Sequence, residues 1–504
     1  MVPMRDGIRL YTRIVLPQGA EKCPTVFIRT PYEAEHSGQP HDPEEYRENP
    51  FLKNGYALVL QHCRGCGDSE GDCHPYAERE DGLDTLAYIR TLPHYNGSIY
   101  LFGESYLATV HLCYLNTQPP DVKGAVFNIQ TDRMFFRNYR NGCCNQHCYL
   151  SWWLRMLKRR FPEQHKEGNV VRPYQDMMEK IIGQPLPEYT NNLLNDTYNE
   201  YWQRDPRTDA VEKFTFPVLF NEGWFDFYLE GMFSMWERLP EKIKEKSAMV
   251  VGPFGHGTKR SGRSPYPKLT QGDPPSGTEE GAALWFNSLR DGTPYAYAEL
   301  GKVNYYSLGG DFWTTSVYPA QQQRQRFYFG ADHRLSETPQ GTGSVTYRYD
   351  PDERLGCFKF FDFYQAAEPG IDGVESFFSA PFVQTADFFG KVRWHMTVSS
   401  DCEDTAFFMR LYFEEDGKSY NLTETISSLS HFYPDYQPGT PVVLDVETPP
   451  IAFTMHPGMR LRADVASDGG IYVPNANVRG HWAMVREAKT AQNTVYFENS
   501  YFEV

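Results

Sequence analysis

The chain has 504 residues, of which 40% are hydrophobic, 15% aromatic and 23% charged, which is ordinary for a globular protein of two or three domains. Its 49 basic and 65 acidic residues leave a formal net charge of −16, which argues against nucleic acid and anionic membranes as partners, because phosphate groups bind basic surfaces. No apolar stretch reaches the roughly 20 residues that span a bilayer, and the N-terminus has no apolar signal core, so we expect a cytoplasmic protein.

The first part of the chain alternates short apolar runs with helical patterns. Strands are predicted within 8–30, at 56–62 and at 124–130, and helices at 78–92 and 106–116. This alternation is typical of the α/β class, in which helices cover a mainly parallel sheet.

Ser105 follows a short apolar strand in the sequence Gly-Glu-Ser-Tyr, and a helix-forming stretch comes next. This arrangement holds a serine hydroxyl at a sharp strand-to-helix turn, as in the motif G-x-S-x-G, although Leu107 stands where the second glycine would be. Taken alone, the motif also fits a plain strand–helix connection with Ser105 as the helix N-cap. It indicates a nucleophile only if an acid and a histidine follow in suitable places.

Two further apolar runs, within 217–226 and 248–257, each end in a loop that carries a candidate partner for the serine. Asp226 lies in the first loop and His256 in the second, which gives the chain order Ser, Asp, His of the α/β hydrolases. Because ligands of parallel α/β sheets bind at the carboxyl ends of the strands, we expect Ser105, Asp226 and His256 to meet at one edge. Asp226 alone could be a turn residue, and His256 alone could belong to a flexible loop, but their joint occurrence favours one site.

The pattern changes twice further along the chain. Residues 132–210 contain helical stretches rich in Trp, Tyr and Met and no clear strand, so we predict a helical cap inserted into a catalytic domain formed by 1–131 and 211–304. Residues 305–504 contain β-forming segments separated by Gly, Pro, Asp and Ser, which predicts a C-terminal β-sandwich. The exposed edges of such a domain also suggest a homodimer.

Ten cysteines are scattered along the chain, too sparsely for a disulfide scaffold, and in a cytoplasmic protein we expect them to be reduced. Two clusters have spacings that zinc sites use, Cys63-x-x-Cys66 with Cys73 and His74, and Cys143-Cys144-x-x-His147-Cys148. The first cluster lies in a Gly-rich turn, where cysteine serves as a small apolar filler. We therefore predict no metal and no other cofactor.

Six motifs together resemble one enzyme family. They are, in chain order, Met4-Arg-Asp-Gly-Ile-Arg-Leu10, Arg29-Thr-Pro-Tyr32, Arg64-Gly-x-Gly-x-Ser-x-Gly71, Gly103-x-Ser-Tyr106, Gly223-Trp-Phe-Asp226 and Gly252-Pro-Phe-Gly-His256. Over nearly its whole length the chain resembles the cocaine-esterase-like serine hydrolases, relatives of X-prolyl dipeptidyl peptidases and α-amino-acid ester hydrolases. The resemblance implies an α/β-hydrolase core, a helical cap and a C-terminal jelly-roll-like domain.

The resemblance also implies roles for five residues. Ser105 matches the nucleophile, Asp226 the acid and His256 the base. Tyr32 matches a tyrosine whose hydroxyl helps to form the oxyanion hole, and the backbone N–H of Tyr106 supplies the second donor; a buried phenol bonded to backbone is the alternative for Tyr32. The implied activity is cleavage of an ester or amide bond of a small molecule through an acyl-enzyme, with X-prolyl dipeptidyl aminopeptidase or α-amino-acid ester hydrolase as alternatives.

The chain departs from the family pattern at two positions, His62 where many members have Asp and Ala108 where many have Gly. These departures leave the triad intact and the shape of the pocket open. The long N-terminal extension of the large X-prolyl peptidases is missing, so we expect that activity less than the others. A non-enzymatic alternative is a protein that binds carbohydrate or a partner through its β domain, but such a protein has no need of a complete triad.

Five further charged residues lie near the motifs. Glu104 and Glu222 are close to triad residues in sequence and could recognise a substrate amine, but we expect both to be ordinary exposed carboxylates. Asp132 and Arg133 follow a strand, and we expect structural roles for both. Arg64 is expected to fix the turn after its strand by bonding to carbonyl groups or to a carboxylate.

Overall fold

The structure is a computed structural model that describes residues 1–32, 45–160, 172–257, 274–275, 277–320, 324–355 and 370–504, with only the backbone at 45, 47, 147–148 and 157–160. The chain forms two compact units. The first comprises Met1–Met134, Trp202–Tyr306 and Trp313–Tyr318, and the second comprises Phe135–Tyr201, Ser307–Phe312 and Pro319–Val504.

The strands of the described residues are numbered in chain order. They are β1 (Val2–Pro3), β2 (Arg9–Leu10), β3 (Thr12–Val15), β4 (Cys23–Thr30), β5 (Ala57–His62), β6 (Tyr95–Glu104), β7 (Val122–Asn128), β8 (Tyr139–Arg140), β9 (Cys143–Cys144), β10 (Val218–Gly223), β11 (Ala248–Gly252), β12 (Val303–Ser307), β13 (Phe312–Ser316), β14 (Arg326–Gly330), β15 (Arg334–Ser336), β16 (Ser344–Tyr349), β17 (Glu375–Phe378), β18 (Ala386–Ser400), β19 (Ala406–Glu415), β20 (Lys418–Ser428), β21 (Val442–Met455), β22 (Arg460–Ala466) and β23 (Ala491–Glu503).

The α-helices of the described residues are numbered in the same way. They are α1 (Pro50–Lys53), α2 (Arg79–Ile89), α3 (Tyr106–Leu115), α4 (Met134–Asn138), α5 (Ser151–Arg160), α6 (Met177–Ile182), α7 (Pro187–Leu194), α8 (Glu200–Gln203), α9 (Leu229–Arg238), α10 (Glu241–Lys244), α11 (Glu279–Asp291) and α12 (Leu429–Phe432). The helices predicted at 78–92 and 106–116 are confirmed as α2 and α3. Single 3₁₀ or π turns occur at Glu45–Glu48, Gln146–Leu150, Tyr174–Asp176, Val211–Lys213 and Ala331–His333.

The first unit is built on a mixed, mainly parallel sheet. In the described residues this sheet has nine strands, in the order β13-β12-β11-β10-β7-β6-β4-β5-β3. The pairs from β12 to β5 are parallel, and β3 adds to β5 in the antiparallel sense. Strands β4, β5, β10 and β11 are buried along their whole length, as expected for parallel strands with helices on both faces. The α/β class predicted from the sequence is confirmed.

Side chains from the sheet pack against α1 and α11 to form a large core. Phe51 of α1 and Phe286 of α11 are fully buried and stack on each other with their ring centroids 6.0 Å apart. Helix α11 begins after Thr278, whose hydroxyl accepts a hydrogen bond from the N–H of Gly281 at 3.0 Å. Each fully buried aromatic or aliphatic side chain of this kind stabilises the fold by about 1.5–3 kcal/mol, so the sheet is a rigid support for the loops at its edge.

The second unit contains an all-β sheet, which confirms the predicted β domain. Its order is β20-β19-β22-β17-β15-β14-β23-β18-β21, with β16 beside β23. Nearly all of its pairs are antiparallel; β15 and β17 are parallel. The burial of β21 alternates over its first half, which is the pattern of a strand with one buried face.

Two expectations about domain limits differ from the observed elements. Strands β8 and β9, of two residues each, form an antiparallel hairpin inside the stretch that was predicted to have no clear strand. Strand β12 spans the predicted boundary at residue 304, and β13 belongs to the sheet of the first unit. The helices of 135–201 and the β-rich sheet lie in one compact unit. The division into a catalytic domain, a cap and a β domain with the limits given above stays a prediction.

Candidate active site

Ser105 stands at the turn between β6 and α3 in a strained backbone conformation. Its φ is 55° and its ψ is −123°, a combination that costs a non-glycine residue about 1–3 kcal/mol and persists only where surrounding contacts hold it. The Ser105 N–H donates to the carbonyl of Asn128 at 3.0 Å. At Gly103 a Cβ atom would lie 2.5 Å from the backbone of Leu107 and Ala108, so only glycine lets α3 lie this close to β6.

The structure brings together the three side chains that the sequence predicted. His256 Nε2 lies 3.1 Å from Ser105 Oγ, and His256 Nδ1 lies 2.7 Å from Asp226 Oδ2. The side chain of Asp226 is fully buried, and that of His256 is 28% exposed. The second carboxylate oxygen of Asp226 accepts a hydrogen bond from the N–H of Tyr228 at 2.7 Å. A serine hydroxyl, an imidazole and a fixed carboxylate therefore form a continuous hydrogen-bonded chain.

The loops after β10 and β11 hold the acid and the histidine against each other. The N–H groups of Trp224 and Phe225 donate to the carbonyls of Gly252 and Phe254 at 2.9 and 3.0 Å. A Cβ atom at Gly223 would lie 2.3 Å from the Phe254 carbonyl oxygen, so the two loops approach backbone to backbone.

The imidazole is also held by ring stacking. The Phe227 ring lies 4.3 Å from the His256 ring, centroid to centroid, at an interplanar angle of 23°. Tyr228 packs against the same imidazole at 5.8 Å. Both aromatic residues follow Asp226 directly, so one short segment fixes the carboxylate and limits the rotation of the histidine.

Tyr106, a predicted oxyanion-hole residue, is the first residue of α3. The first N–H groups of an α-helix have no acceptor within the helix, which makes them suited to bind an anion. The Tyr106 phenol is buried; it donates to the Glu78 carboxyl group and accepts a hydrogen bond from the Tyr76 N–H at 2.9 Å. Burial raises the pKa of Tyr106 well above its ordinary value, so its phenol stays a neutral donor.

Tyr32, the second predicted oxyanion-hole residue, lies two residues after the end of β4 and is half-buried. Its N–H donates to Thr30 Oγ1 at 3.1 Å. Tyr32 therefore lies just beyond the carboxyl end of β4, with its backbone hydrogen-bonded to the last residue of the strand. A role for its hydroxyl stays a prediction.

The structure corrects the expectation for Glu222. We expected an exposed carboxylate, but Glu222 is fully buried near the end of β10. Its Oε1 accepts a hydrogen bond from the Gly223 N–H at 2.9 Å, and its Oε2 has no hydrogen-bond partner among the described residues. Burial, together with the like charge of Asp226, raises the pKa of Glu222 well above the ordinary value for glutamate, so the buried position favours the protonated form of this carboxyl group. Glu104 is half-buried at the end of β6.

The other charged residues named from the sequence form ion pairs. Arg64 donates to both carboxylate oxygens of Asp81, at 3.0 and 2.6 Å, so the expected carboxylate partner is confirmed. Asp132 is fully buried and accepts hydrogen bonds from Arg238 at 3.0 and 2.5 Å. Arg133 pairs with Asp209. These contacts fit the structural roles expected for Arg64, Asp132 and Arg133.

The cysteines that the structure describes are buried free thiols. The sulfur atoms of Cys66 and Cys73 lie 3.6 Å apart, within the first cluster considered for zinc. Within the described ranges no group of three or more His, Cys, Asp or Glu side chains is arranged to hold a metal ion. The side chains of His147 and Cys148 lie outside the described residues, as does Cys357.

Sequence reasoning missed Gln130. Its side chain is fully buried, and its Nε2 donates to the carbonyl oxygen of Ser105 at 3.0 Å. The sequence prediction placed 124–130 in one strand, whereas β7 ends at Asn128 and Ile129 adopts a positive φ of 45°. A polar residue at the end of an apolar run was the available signal.

A mainly parallel sheet with a serine, a histidine and an aspartate joined beyond its strands is the arrangement of the α/β hydrolases. The chain belongs to the X-Pro dipeptidyl-peptidase (S15) family, whose model matches residues 6–258. The model of the X-Pro dipeptidyl-peptidase C-terminal non-catalytic domain matches residues 296–502. The chain is thus a serine hydrolase of a family that acts on ester or amide bonds of small molecules, and the resemblance found in the sequence is confirmed.

Individual relatives agree with this assignment. A cocaine esterase from Rhodococcus sp. (strain MB1 Bresler) is 24% identical over 458 residues, which cover 82% of this chain and 79% of the esterase. The solved structure of an α-amino acid ester hydrolase superposes with a TM-score of 0.84 at 20% identity. The superposition covers 100% of this chain and 95% of the hydrolase chain. An aminopeptidase from a marine sediment archaeon, Thaumarchaeota archaeon, superposes with a TM-score of 0.82 at 19% identity, with coverage of 100% and 95%. At these identities the two structures support the fold.

The helices of the described residues were also compared with the requirements of a membrane span. None of them combines the length and the apolar character needed to cross a bilayer.

Proposed function

We propose that this serine hydrolase cleaves a carboxylic ester through an acyl-enzyme formed on Ser105. The observation that carries the proposal is the hydrogen-bonded chain from Ser105 Oγ through His256 to the buried carboxylate of Asp226, with distances of 3.1 and 2.7 Å. A serine hydroxyl is a weak nucleophile until a base removes its proton, and His256 is within reach to do so. Asp226 keeps the Nδ1–H tautomer of the imidazole and stabilises its charged form.

The proposed first step is acylation. The Ser105 oxygen attacks the substrate carbonyl carbon while its proton moves to His256 Nε2, which gives a tetrahedral intermediate with a negative oxygen. The imidazolium then returns the proton to the leaving alcohol as the carbon–oxygen bond breaks. In the second step His256 removes a proton from water, the hydroxide attacks the acyl-enzyme, and Ser105 recovers its proton.

The negative oxygen needs donors that are already in position. We assign this task to the backbone N–H of Tyr106 and the hydroxyl of Tyr32. The N–H stands at the first position of α3, where the helix dipole also favours negative charge. Loss of one such donor typically raises the barrier by roughly 3–4 kcal/mol.

Three observations bear on the choice between an ester and a peptide substrate. The sequence relative described above is an esterase, whereas the family takes its name from an X-Pro dipeptidyl-peptidase. Glu222 is fully buried and its Oε1 accepts a hydrogen bond from the Gly223 N–H, so it is not an exposed carboxylate that would bind a substrate ammonium. We therefore favour an ester without a free amine, and keep X-prolyl dipeptidyl aminopeptidase and α-amino-acid ester hydrolase as alternatives.

The first experiment tests the nucleophile with a fluorophosphonate probe. We expect labelling of the wild type, none of Ser105→Ala, and wild-type labelling of Ser98→Ala, which changes a half-buried serine on β6, the strand that precedes Ser105. His256→Ala should keep the fold and lose nearly all turnover of p-nitrophenyl acetate. A folded wild type that resists the probe would overturn the proposal.

The second experiment tests the substrate class. We compare kcat/KM for p-nitrophenyl butyrate, phenylglycine methyl ester and Ala-Pro-p-nitroanilide, with Ser105→Ala as the background for each. The proposal expects the simple ester to be cleaved fastest. Faster cleavage of the X-Pro anilide would replace it with the peptidase alternative.

We also propose the cytoplasm as the compartment, because the described cysteines are free thiols. Fractionation of the producing cells tests this. The homodimer and the lack of affinity for nucleic acid stay predictions, which light scattering and a gel-shift assay test respectively.

A further inference from the structure

The oxyanion donor assigned above shares a peptide unit with Ser105. The carbonyl of Ser105 and the N–H of Tyr106 belong to one planar trans amide, so they point in opposite directions. Whatever fixes the direction of the Ser105 carbonyl therefore also fixes the direction of the Tyr106 N–H.

Several donors converge on the Ser105 carbonyl oxygen. The N–H groups of Ala108 and Thr109 donate to it at 3.0 and 3.1 Å, as in the first turn of a helix, and the Thr109 hydroxyl donates at 3.4 Å. The side-chain Nε2 of Gln130 donates to the same oxygen at 3.0 Å. The bonds from Ala108 and Thr109 come from helix α3 itself, whereas the bond from Gln130 comes from a residue beyond the neighbouring strand β7.

The orientation of the Gln130 amide is determined by its surroundings. Its Oε1 accepts a hydrogen bond from the Thr131 N–H at 2.7 Å, so its NH₂ group must face the Ser105 carbonyl. The side chain is fully buried, where water does not compete for either bond. Both ends of the amide are thus used, and they connect the end of β7 to the turn that carries the nucleophile.

The backbone before Gln130 is strained. Ile129 has a φ of 45°, a value that a β-branched residue adopts only under constraint. Its N–H donates to the carbonyl of Asn221 at 2.8 Å, which holds the turn against the neighbouring strand β10. Strain of this kind costs about 1–3 kcal/mol and is concentrated at functional sites.

We infer that Gln130 is a positioning residue of the oxyanion hole. It holds the Ser105–Tyr106 peptide in the one orientation that directs the Tyr106 N–H toward the oxygen of the tetrahedral intermediate. The inference rests on the proposed function, because the donor it positions is the one assigned there. Gln130 acts through this peptide, and a positioned N–H matters more in the transition state than in the ground state, since the charge on the oxygen develops only during attack.

The test replaces Gln130 by residues that cannot form the hydrogen bond to the Ser105 carbonyl. Gln130→Met keeps the length of the side chain but has no hydrogen-bond donor. Gln130→Asn keeps the amide group but shortens the side chain by one methylene, so the amide does not reach the Ser105 carbonyl. For p-nitrophenyl butyrate we expect kcat to fall by about 10- to 100-fold with Met, because a misplacement of about 1 Å can reduce the rate about 100-fold. KM should stay within about twofold of the wild-type value, as for a group that acts in the transition state.

A boronic acid inhibitor gives the readout that a merely structural role would not move. Boronates form a tetrahedral adduct on the nucleophilic serine, so the inhibition constant of phenylboronic acid should rise by the same factor as kcat falls. The matched control is Thr85→Val, which removes buried hydrogen bonds to Gln61 and Asp81 in another part of the same unit. We expect it to lower the melting temperature and to leave kcat and boronate affinity unchanged.

The outcomes separate this inference from the proposed function. A wild type that the fluorophosphonate probe does not label defeats the proposed function and the inference with it. If the wild type is labelled and the folded Gln130 variants keep wild-type kcat and boronate affinity, the inference alone is wrong, whatever their melting temperatures. Should Gln130→Met fail to fold, Gln130→Asn decides by the same two measurements.

Discussion

Gly103→Ala should separate the strand and the helix that hold the nucleophile. The added Cβ would lie 2.5 Å from backbone atoms of Leu107 and Ala108, whereas carbon atoms in contact are about 3.5–4 Å apart, so β6 and α3 must separate by about 1 Å. Such overpacking costs about 1–3 kcal/mol of the free energy of unfolding. Because α3 carries Tyr106 and adjoins Ser105, a shift of this size should lower kcat by about 100-fold.

The assay is hydrolysis of p-nitrophenyl butyrate, followed together with thermal unfolding. Gly124→Ala is the matched control, since the same methyl group is added on the adjacent strand β7, where it meets the terminal carbon of the Leu289 side chain at 2.4 Å. A side-chain end can rotate away, whereas the backbone that Gly103→Ala meets cannot, so the control should keep kcat within about threefold. Equal kcat values for the two variants would refute the argument that close approach of helix and strand positions the nucleophile.

Two further predictions concern two acid groups, Asp226 of the triad and Glu222 near the end of β10. Asp226→Asn should lower kcat by about 10,000-fold with the fold intact, because the amide favours the wrong imidazole tautomer; stopped-flow or endpoint ester hydrolysis measures the loss, and a loss below tenfold would contradict the assignment. For Glu222 the folded pKa is raised above its unfolded value near 4.5, so the stability that this carboxyl group contributes is complete below about pH 4.5 and is lost as the pH rises toward the folded pKa. Glu222→Gln cannot ionise, so its free energy of unfolding relative to wild type, measured by denaturant unfolding, should increase between pH 5 and pH 8 by at most about 1.4 kcal/mol per pH unit; a constant difference would contradict the raised pKa of Glu222.

The triad could be predicted because its signals are local. Each of the three residues follows a short apolar run, and the chain order of Ser105, Asp226 and His256 limits the choice of fold. In a parallel sheet the carboxyl ends of all strands meet at one edge, so residues at strand ends come together whatever the details of packing. The same local reasoning located α2 and α3, which lie within the predicted ranges 78–92 and 106–116.

Burial of single polar side chains could not be predicted in this way. Glu222 and Gln130 stand at or just beyond the ends of β10 and β7, where the sequence pattern does not reveal on which side a neighbouring loop lies. Gln130 bonds to Ser105, 25 residues away, and Asp132 pairs with Arg238, 106 residues away, so neither contact is visible in a local sequence pattern. The place of β13 is not visible in the sequence for a related reason: β13 has the composition of the strands that follow it, but it pairs with β12.

The three members of the proposed triad are constrained by different means, and this difference matches what each must do. Ser105 is held through its backbone: hydrogen bonds to its N–H and its carbonyl maintain the strained conformation, which leaves the hydroxyl free to react. Asp226 is fixed through its side chain, fully buried with both oxygens engaged, as a group that must remain charged without moving. His256 is partly exposed and is held by its hydrogen bond to Asp226 and by stacking on Phe227, which keep its Nε2 3.1 Å from the Ser105 hydroxyl whose proton it takes. Phe227→Ala removes the stacking that limits the rotation of the imidazole, so it should lower kcat for p-nitrophenyl butyrate, and an unchanged kcat would contradict this role of the contact.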